Sequence, residues 1–454
     1  MIETDTQFLY NETADVVRLF DDPPDVRLAF RSSGDVFENT VRAGGREFFY
    51  SERQPYSGEI EYKRYARRFA KIAVYETLSA LTGQKMPWGA LTGIRPTKLA
   101  YGEREAGRDF APLFEKCGVC AENIALVRRI LEEQEGIYAK ETGAADLYAG
   151  IAFCPSKCSY CSFITADITR TGKYTEPYLA ALEKEIAACG GLFQKLRAVY
   201  VGGGTPFALD EKGLSRVLRA LAPFTRDGVE YTVEAGRPDV FTEGKLALLK
   251  EFGVGRICIN PQSFNEETLR AIGRNHTVGQ IYDAFSMSEK YGFSVNCDLI
   301  AGLPGETGEM FEKSIREAVA LGPDNITVHT LCLKKGARLR EEEQRLRAGE
   351  IGRMIAYSRT ALQEAGYAPY YLYRQKYMAG NYENTGWCRK GTACVYNIDV
   401  MEETCDNIAC GANAVGKKIL HGEGRIERAG APKDIPTYIE KIDAIIAEKK
   451  KLFG

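Results

Sequence analysis

The sequence predicts an α/β protein: a partial (β/α)6, TIM-like barrel with an additional N-terminal α/β or α+β domain and a C-terminal α/β cover. Three observations predict it. Six short segments rich in β-branched and aromatic residues recur through the middle of the chain, each turning polar or glycine-rich at its end. Stretches of helical period separate them, a spacing that calls for parallel strands joined by crossovers. And 454 residues with 44% hydrophobic content can bury a core spread over two or three domains.

The elements follow in order. Residues 1–145 precede the barrel and include a basic amphipathic helix, YKRYARRFAKIAVYETLSALTG (62–83), whose cations read as a solvated face. The barrel takes residues 146–345. Its strands are DLYAGIAF (146–153), RAVYVGGGTP (197–206), VEYTVEAG (229–236), GRICINPQSF (255–264), FSVNCDLIAGLPGET (293–307) and NITVHTLCL (325–333). Helices over 175–191, 210–222, 241–252, 278–291 and 307–321 join them. From 346 to 454 a helix (345–365) leads into the cover, which is expected to close the barrel mouth against water.

Sixty basic residues against 62 acidic ones leave a net charge of −2, so no global field favours nucleic acid or an anionic membrane. No apolar run reaches membrane-spanning length, and the first residues, MIETDTQFLYNETADVV, lack a basic-then-apolar leader. A cytoplasmic protein is expected. The 13 cysteines are scattered without secretory signals, which makes a disulfide framework a poor reading and reduced thiols or metal ligands the better one.

Three of them differ from the rest. In AFCPSKCSYCSF (152–163), Cys154, Cys158 and Cys161 stand in C-x3-C-x2-C spacing on a stretch of loop composition that leaves a strand's carboxyl end. α/β folds place their chemistry at such ends. A structural zinc site wants four ligands, and no fourth cysteine or histidine lies nearby. Three thiolates suit an iron–sulfur cluster with one iron open. Cys117 and Cys120, and the spread quartet Cys388, Cys394, Cys405 and Cys410, read as structural, with an auxiliary cluster as the lesser alternative for the quartet.

Cys154, Cys158, Tyr160 and Cys161 together resemble the motif of the radical S-adenosylmethionine superfamily, whose fold is the same partial barrel. The resemblance implies two cofactors: a [4Fe–4S] cluster held by the three cysteines as metal ligands, and S-adenosylmethionine on the open iron. The strand ends carry groups of suitable chemistry. Gly202, Gly203 and Gly204, followed by Thr205, let backbone approach a ligand closely. Glu234, Gln262, Arg274 and Asp298 offer acids, an amide and a guanidinium for an amine, a carboxylate and a ribose. His276 and His329 read as structural histidines.

TVEAGRPD, NPQSF, GRNHT and DLIAGLPGET are similar to the oxygen-independent coproporphyrinogen III dehydrogenase (oxidase) group. Carried over, Tyr160, Phe163, Gly203, Gly204, Thr205, Glu234, Gln262, Arg274, Asp298, Ile300 and Ala301 contact the cofactor, with Ile300 and Ala301 near the adenine. Phe163 stands where some members carry another cysteine. Together with the long N-terminal part, WGALTGIRPTKL (88–99) and YYLYRQKYMAGNYENTGW (370–387), it resembles the HemZ-type subgroup. The activity implied is oxidative decarboxylation of two propionates of coproporphyrinogen III to vinyl groups. That substrate asks for aromatic surface and cations, for which Arg95, Lys98, Tyr373, Arg374 and Lys376 are candidates. A reducing donor such as flavodoxin or ferredoxin is the implied partner. The rivals are a heme-binding chaperone and a radical methyltransferase or other enzyme acting on heme.

Overall fold

The computed structural model describes residues 1–93, 95–163, 165–332, 339, 348–375 and 378–454. The chain divides into two compact units, Met1–Arg129 with Tyr373–Glu383, and Ile130–Leu372 with Asn384–Gly454.

The first unit is an α+β module. Alternating burial along VRLAFRSS and VFENTVRA makes half-buried strands, and β1 (Ile2–Thr4), β2 (Val26–Ser33), β3 (Val36–Ala43) and β4 (Arg46–Arg53) lie in that order in one sheet. β1 and β2 are parallel and the other pairs antiparallel. The basic helix spans Glu59–Thr82 and buries Tyr65, Phe69, Ile72 and Leu78, while Arg64 and Arg67 stay exposed.

The second unit is built on the six expected strands: β5 (Ala144–Ile151), β6 (Lys195–Gly203), β7 (Glu230–Gly236), β8 (Arg256–Gln262), β9 (Ser294–Ala301) and β10 (Asn325–Thr330). Each pairs in parallel with the next in chain order. Their cores are buried runs such as Ala198–Val201 and Ile257–Ile259, as strands covered on both faces require. The crossover helices Glu211–Leu221, Glu243–Glu251, Val278–Glu289 and Gly308–Leu321 start where Asp210, Thr242, Thr277 and Thr307 cap their first turns by side-chain hydrogen bonds. Thr277 and Gln280 complete a capping box.

Among the described residues, β5 and β10 do not pair with each other, and each borders a strand from the C-terminal part instead. β12 (Asn384–Cys388) runs antiparallel beside β10, with β11 (Ala368–Tyr373) outside it. On the other flank β13 (Asp406–Cys410) is parallel to β5, followed by antiparallel β14 (Val415–Leu420) and β15 (Arg425–Gly430).

Within the C-terminal part, residues 389–404 pack against the amino-terminal ends of the strands. Glu230, the first residue of β7, accepts hydrogen bonds from Cys394 Sγ (3.1 Å), Val395 N–H (3.0 Å) and Tyr396 N–H (3.1 Å). Arg256, the first residue of β8, donates to Thr392 O (2.8 Å) and to Asn325 at the start of β10. Tyr396 then stacks on Tyr200 in the barrel interior, with ring centroids 4.3 Å apart. The physical reason is charge: polar groups at the strand starts need partners once buried, and this segment supplies them.

Candidate functional site

β5 ends at Ile151 and the chain passes directly into the three-cysteine loop. Backbone bonds hold its root: Gly204 N–H donates to Ile151 O (2.6 Å), Thr205 N–H to Phe153 O (2.8 Å), and Phe153–Cys154 pairs in parallel with Ala166–Asp167. Cys161 N–H returns to Cys158 O (3.2 Å), closing a turn between the last two cysteines. Thr205 Oγ1 lies 3.6 Å from Cys154 Sγ. Burial raises the Cys154 thiol, opposed by hydrogen bonds from Thr165 and Thr205, and it raises Cys161, opposed by the Phe163 backbone N–H. Such thiols keep their protons until a metal replaces them.

The loop is pinned from the end of β7, two strands along the sheet, by a residue that the sequence reading missed. Arg237, just past β7 and 3% exposed, donates to Ser156 Oγ (2.6 Å), between Cys154 and Cys158. The same guanidinium is held by Asp239 at 3.0 and 2.7 Å. His276 Nδ1 stands 3.9 Å from Asp239. Burial, with Arg274 beside it, pushes the imidazole down to about 3, so it is neutral. No local pattern announces Arg237; the only signal was its position after Glu234 at a strand's carboxyl end.

The glycine strip leaves no room for side chains. A Cβ at Gly204 would sit 2.2 Å from Phe153 O and 3.0 Å from Cys154 Sγ, and one at Gly203, whose φ is +103°, would meet Ile151 O at 2.8 Å. At Gly202 it would lie 3.1 Å from Glu234 Cδ. The strip thus runs from the cysteines to the barrel interior.

Opposite charges stand at its two ends. Near the cysteines, Arg274 is 7% exposed and donates Nη2 to Tyr160 OH (2.9 Å), while its Nε and Nη1 have no partner among the described residues. A buried guanidinium so incompletely paired suits an anionic group. In the interior, Glu234 accepts from Tyr200 OH (2.6 Å) and is pushed up to about 7 by burial, with Asp298 adding to the rise. Asp298 accepts from Asn296 Nδ2 (2.8 Å) and faces His329 Nε2 at 3.6 Å. Burial alone would raise it, but those neighbours and Thr327 hold it below the usual range. Two half-buried carboxyls suit a cationic ligand group.

Gln262 closes β8 at a register shift with φ +71°, and its Oε1 is buried without a partner among the described residues. Ile300 and Ala301 are buried at the end of β9. Strand alternation puts Ile300 on the face of Asp298 and Ala301 on the other, so Ala301 offers this side only backbone. Phe163 is 63% exposed. Glu306, also missed, accepts from Ser263 Oγ (2.6 Å) beside Gln262 and is pushed up to about 7 by burial.

The described substrate candidates belong to the first unit. Arg95 immediately precedes the helix Pro96–Glu105, Lys98 is exposed in its first turn, and Tyr373 ends β11. Arg374 corrects the expectation of a presented cation: it is 6% exposed, donates to Leu91 O and Asn381, and lies 5.1 Å over the Trp88 ring. Trp88 and Glu383 complete that packed cluster, Trp88 Nε1 donating at 2.8 Å. Lys376 lies outside the described residues.

Residues 148–318 match the model of the radical SAM superfamily. The oxygen-independent coproporphyrinogen-III oxidase-like protein HemZ of Bacillus subtilis (strain 168) is 34% identical over 437 residues, 92% of this chain and 86% of that one. The heme chaperone HemW of Lactococcus lactis subsp. lactis (strain IL1403) is 36% identical over 190 residues, 41% of this chain and 49% of that one. Among solved structures, coproporphyrinogen III oxidase (HemN) from Escherichia coli has a TM-score of 0.55 at 22% identity, covering 68% of this chain and 71% of that chain, a likeness of fold. By its match over nearly its whole length, the chain belongs to the radical SAM superfamily and, within it, to the HemZ-type group of oxygen-independent coproporphyrinogen-III oxidase-like proteins.

Proposed function

We propose that this protein decarboxylates two propionates of coproporphyrinogen III oxidatively, giving vinyl groups and protoporphyrinogen IX. The superfamily works with a [4Fe–4S] cluster and S-adenosylmethionine. The residues present fit both. Cys154, Cys158 and Cys161 would hold three irons, leaving the fourth for the methionine end of S-adenosylmethionine. The observation that carries the reading is the charge pair across the glycine strip, half-paired Arg274 at the cysteines and the carboxyls Glu234 and Asp298 within, which complements a ligand bearing both signs. When bound, the two cofactors supply the hydrogen abstraction from which each propionate can lose carbon dioxide.

The chain's own residues do the rest. Arg237 orients the cysteine loop through Ser156, the glycines admit ligand against bare backbone, and Glu234, protonated to about 7 until a cation draws its charge, marks the amine or ribose end. Tyr160, Thr205, Gln262 and Ile300 line the remaining contacts. The substrate half of the proposal rests on the HemZ relative and its name. Residues 1–145 are proposed as an accessory domain, 146–345 as the cofactor barrel and 346–454 as a cover and substrate domain, with Arg95, Lys98 and Tyr373 meeting propionates. A flavodoxin or ferredoxin in the cytoplasm would deliver electrons.

The heme chaperone HemW relatives favour a second reading, stoichiometric heme binding without turnover. Anaerobic incubation of the iron-loaded protein with reductant, S-adenosylmethionine and coproporphyrinogen III, with product masses and released carbon dioxide measured, separates the two. Vinyl products support decarboxylation. Cleavage of S-adenosylmethionine without them, together with a tight one-to-one heme complex, would transfer the assignment to the chaperone reading.

A further inference from the structure

Away from the barrel mouth, the second unit buries a cluster that the proposed chemistry does not use. Cys189, two residues beyond the helix Thr175–Ala187, and Cys410, the last residue of β13, are both 0% exposed, and their sulfurs lie 3.4 Å apart. Lys449, on the terminal helix Ile442–Phe453, is 4% exposed and spends its three ammonium protons on Glu185 Oε1 (2.8 Å), Ala409 O (2.7 Å) and Cys410 Sγ (3.1 Å). Glu185 is satisfied in turn by Tyr438 OH (2.6 Å) and Gly411 N–H (2.8 Å). The cation is therefore held rigidly against the sulfur pair.

We propose that Cys189 and Cys410 form a redox site, a dithiol that hydroperoxides of small size oxidise to an intrachain disulfide, with Lys449 as the residue that activates it. Geometry comes first. A disulfide has sulfurs about 2.05 Å apart, so the pair needs an approach of roughly 1.3 Å, within reach of side-chain rotation. The second ground is charge. The hydrogen bond from Cys410 and the positive charge of Lys449 draw the Cys189 thiol below its ordinary value against burial, while burial pushes Cys410 up. One sulfur is thus the nucleophile and its neighbour keeps the proton needed later.

The reaction balances. The Cys189 thiolate takes one oxygen from hydrogen peroxide, becoming a sulfenic acid and releasing hydroxide. The Cys410 thiol displaces that sulfenic oxygen as water, closing the S–S bond, and the proton first lost by Cys189 turns the hydroxide into a second water. Two thiols lose two electrons to the peroxide. The product staples β13, whose Cys410 pairs with Ala149 of β5, to the segment just beyond the helix Thr175–Ala187; Ala149 precedes Cys154 by five residues.

The test uses the full-length, cluster-loaded protein. Peroxide is added at up to one equivalent, free thiols are blocked after unfolding, and peptides are mapped by mass. The expected result is a Cys189–Cys410 linked peptide, 2 Da lighter than the reduced pair and restored by dithiothreitol. In Cys410→Ala the link is lost and Cys189 is trapped by dimedone as its sulfenic acid. In Lys449→Met, disulfide formation at neutral pH slows about ten-fold. Recovery of both cysteines fully alkylated at doses that oxidise other thiols overturns the proposal, and an unchanged rate in Lys449→Met removes Lys449 from it.

Discussion

Gly204 has the least freedom of any residue at the site. Its absent side chain is replaced by the Phe153 carbonyl and the Cys154 sulfur, and a Cβ 2.2 Å from the carbonyl oxygen could be placed only by moving the cysteine loop. Gly204→Ala should therefore cost about 1–3 kcal/mol and lower iron bound per chain on reconstitution, read by thermal melts and iron assay. Glu234 sets a pH dependence. Its carboxyl, ordinarily at 4.5, is raised to about 7 by burial, so the folded protein binds more protons than the unfolded chain between those values. Its share of stability is complete below pH 4.5 and is lost as pH rises through 7. Glu234→Gln should flatten that decline in the ligand-free protein. Parallel wild-type and variant melting curves from about pH 5 to about pH 8 would place the burial penalty elsewhere. Both residues were legible beforehand, because glycines and an acid at a strand's carboxyl end are local patterns. Arg374 was not: its identity suggested a propionate contact, and only its burial against Trp88 and Asn381 reveals a packing role.

At the scale of elements, two strand ends carry the strain and support. Gln262 holds φ +71° at the register shift that ends β8, a conformation costing a non-glycine residue about 1 kcal/mol. Gln262→Gly should leave the apo protein equally or more stable while weakening S-adenosylmethionine binding, measurable by calorimetry; unchanged affinity would remove the amide from the cofactor contacts. Arg237 braces the cysteine loop through Ser156 and is itself held by Asp239. Replacing it with Met leaves a largely buried carboxylate unpaired, at a cost of about 3 kcal/mol. The same change should speed iron loss to a chelator, which a purely distant stability defect would not do in a protein still folded. The helix positions and strand order were readable from period and capping residues such as Thr277 with Gln280, since these depend on neighbours within one turn. Arg237 was not readable, because its partner lies 81 residues back in the chain.

For the whole molecule, the barrel has a reactive end and a sealed end. Residues 389–404 close the sealed one, where Glu230 gathers three hydrogen bonds and Arg256 approaches it at 3.6 Å. Glu230→Ala should destabilise the second unit by about 3 kcal/mol, by leaving Arg256 and two backbone N–H groups short of partners, yet leave S-adenosylmethionine affinity within two-fold once the protein is folded. A large loss of affinity would mean that the two ends are coupled. The sequence by itself established the parallel β/α order, the three-thiol loop and the run of glycines and acids at strand ends, because each is written in spacing over a few residues. Tertiary structure was needed to assign the plug to the amino-terminal end, to bury Arg374, and to set Arg237 on Ser156 and Lys449 between Glu185 and Cys410. Those outcomes depend on which distant partner satisfies a buried charge, and no local pattern encodes that choice.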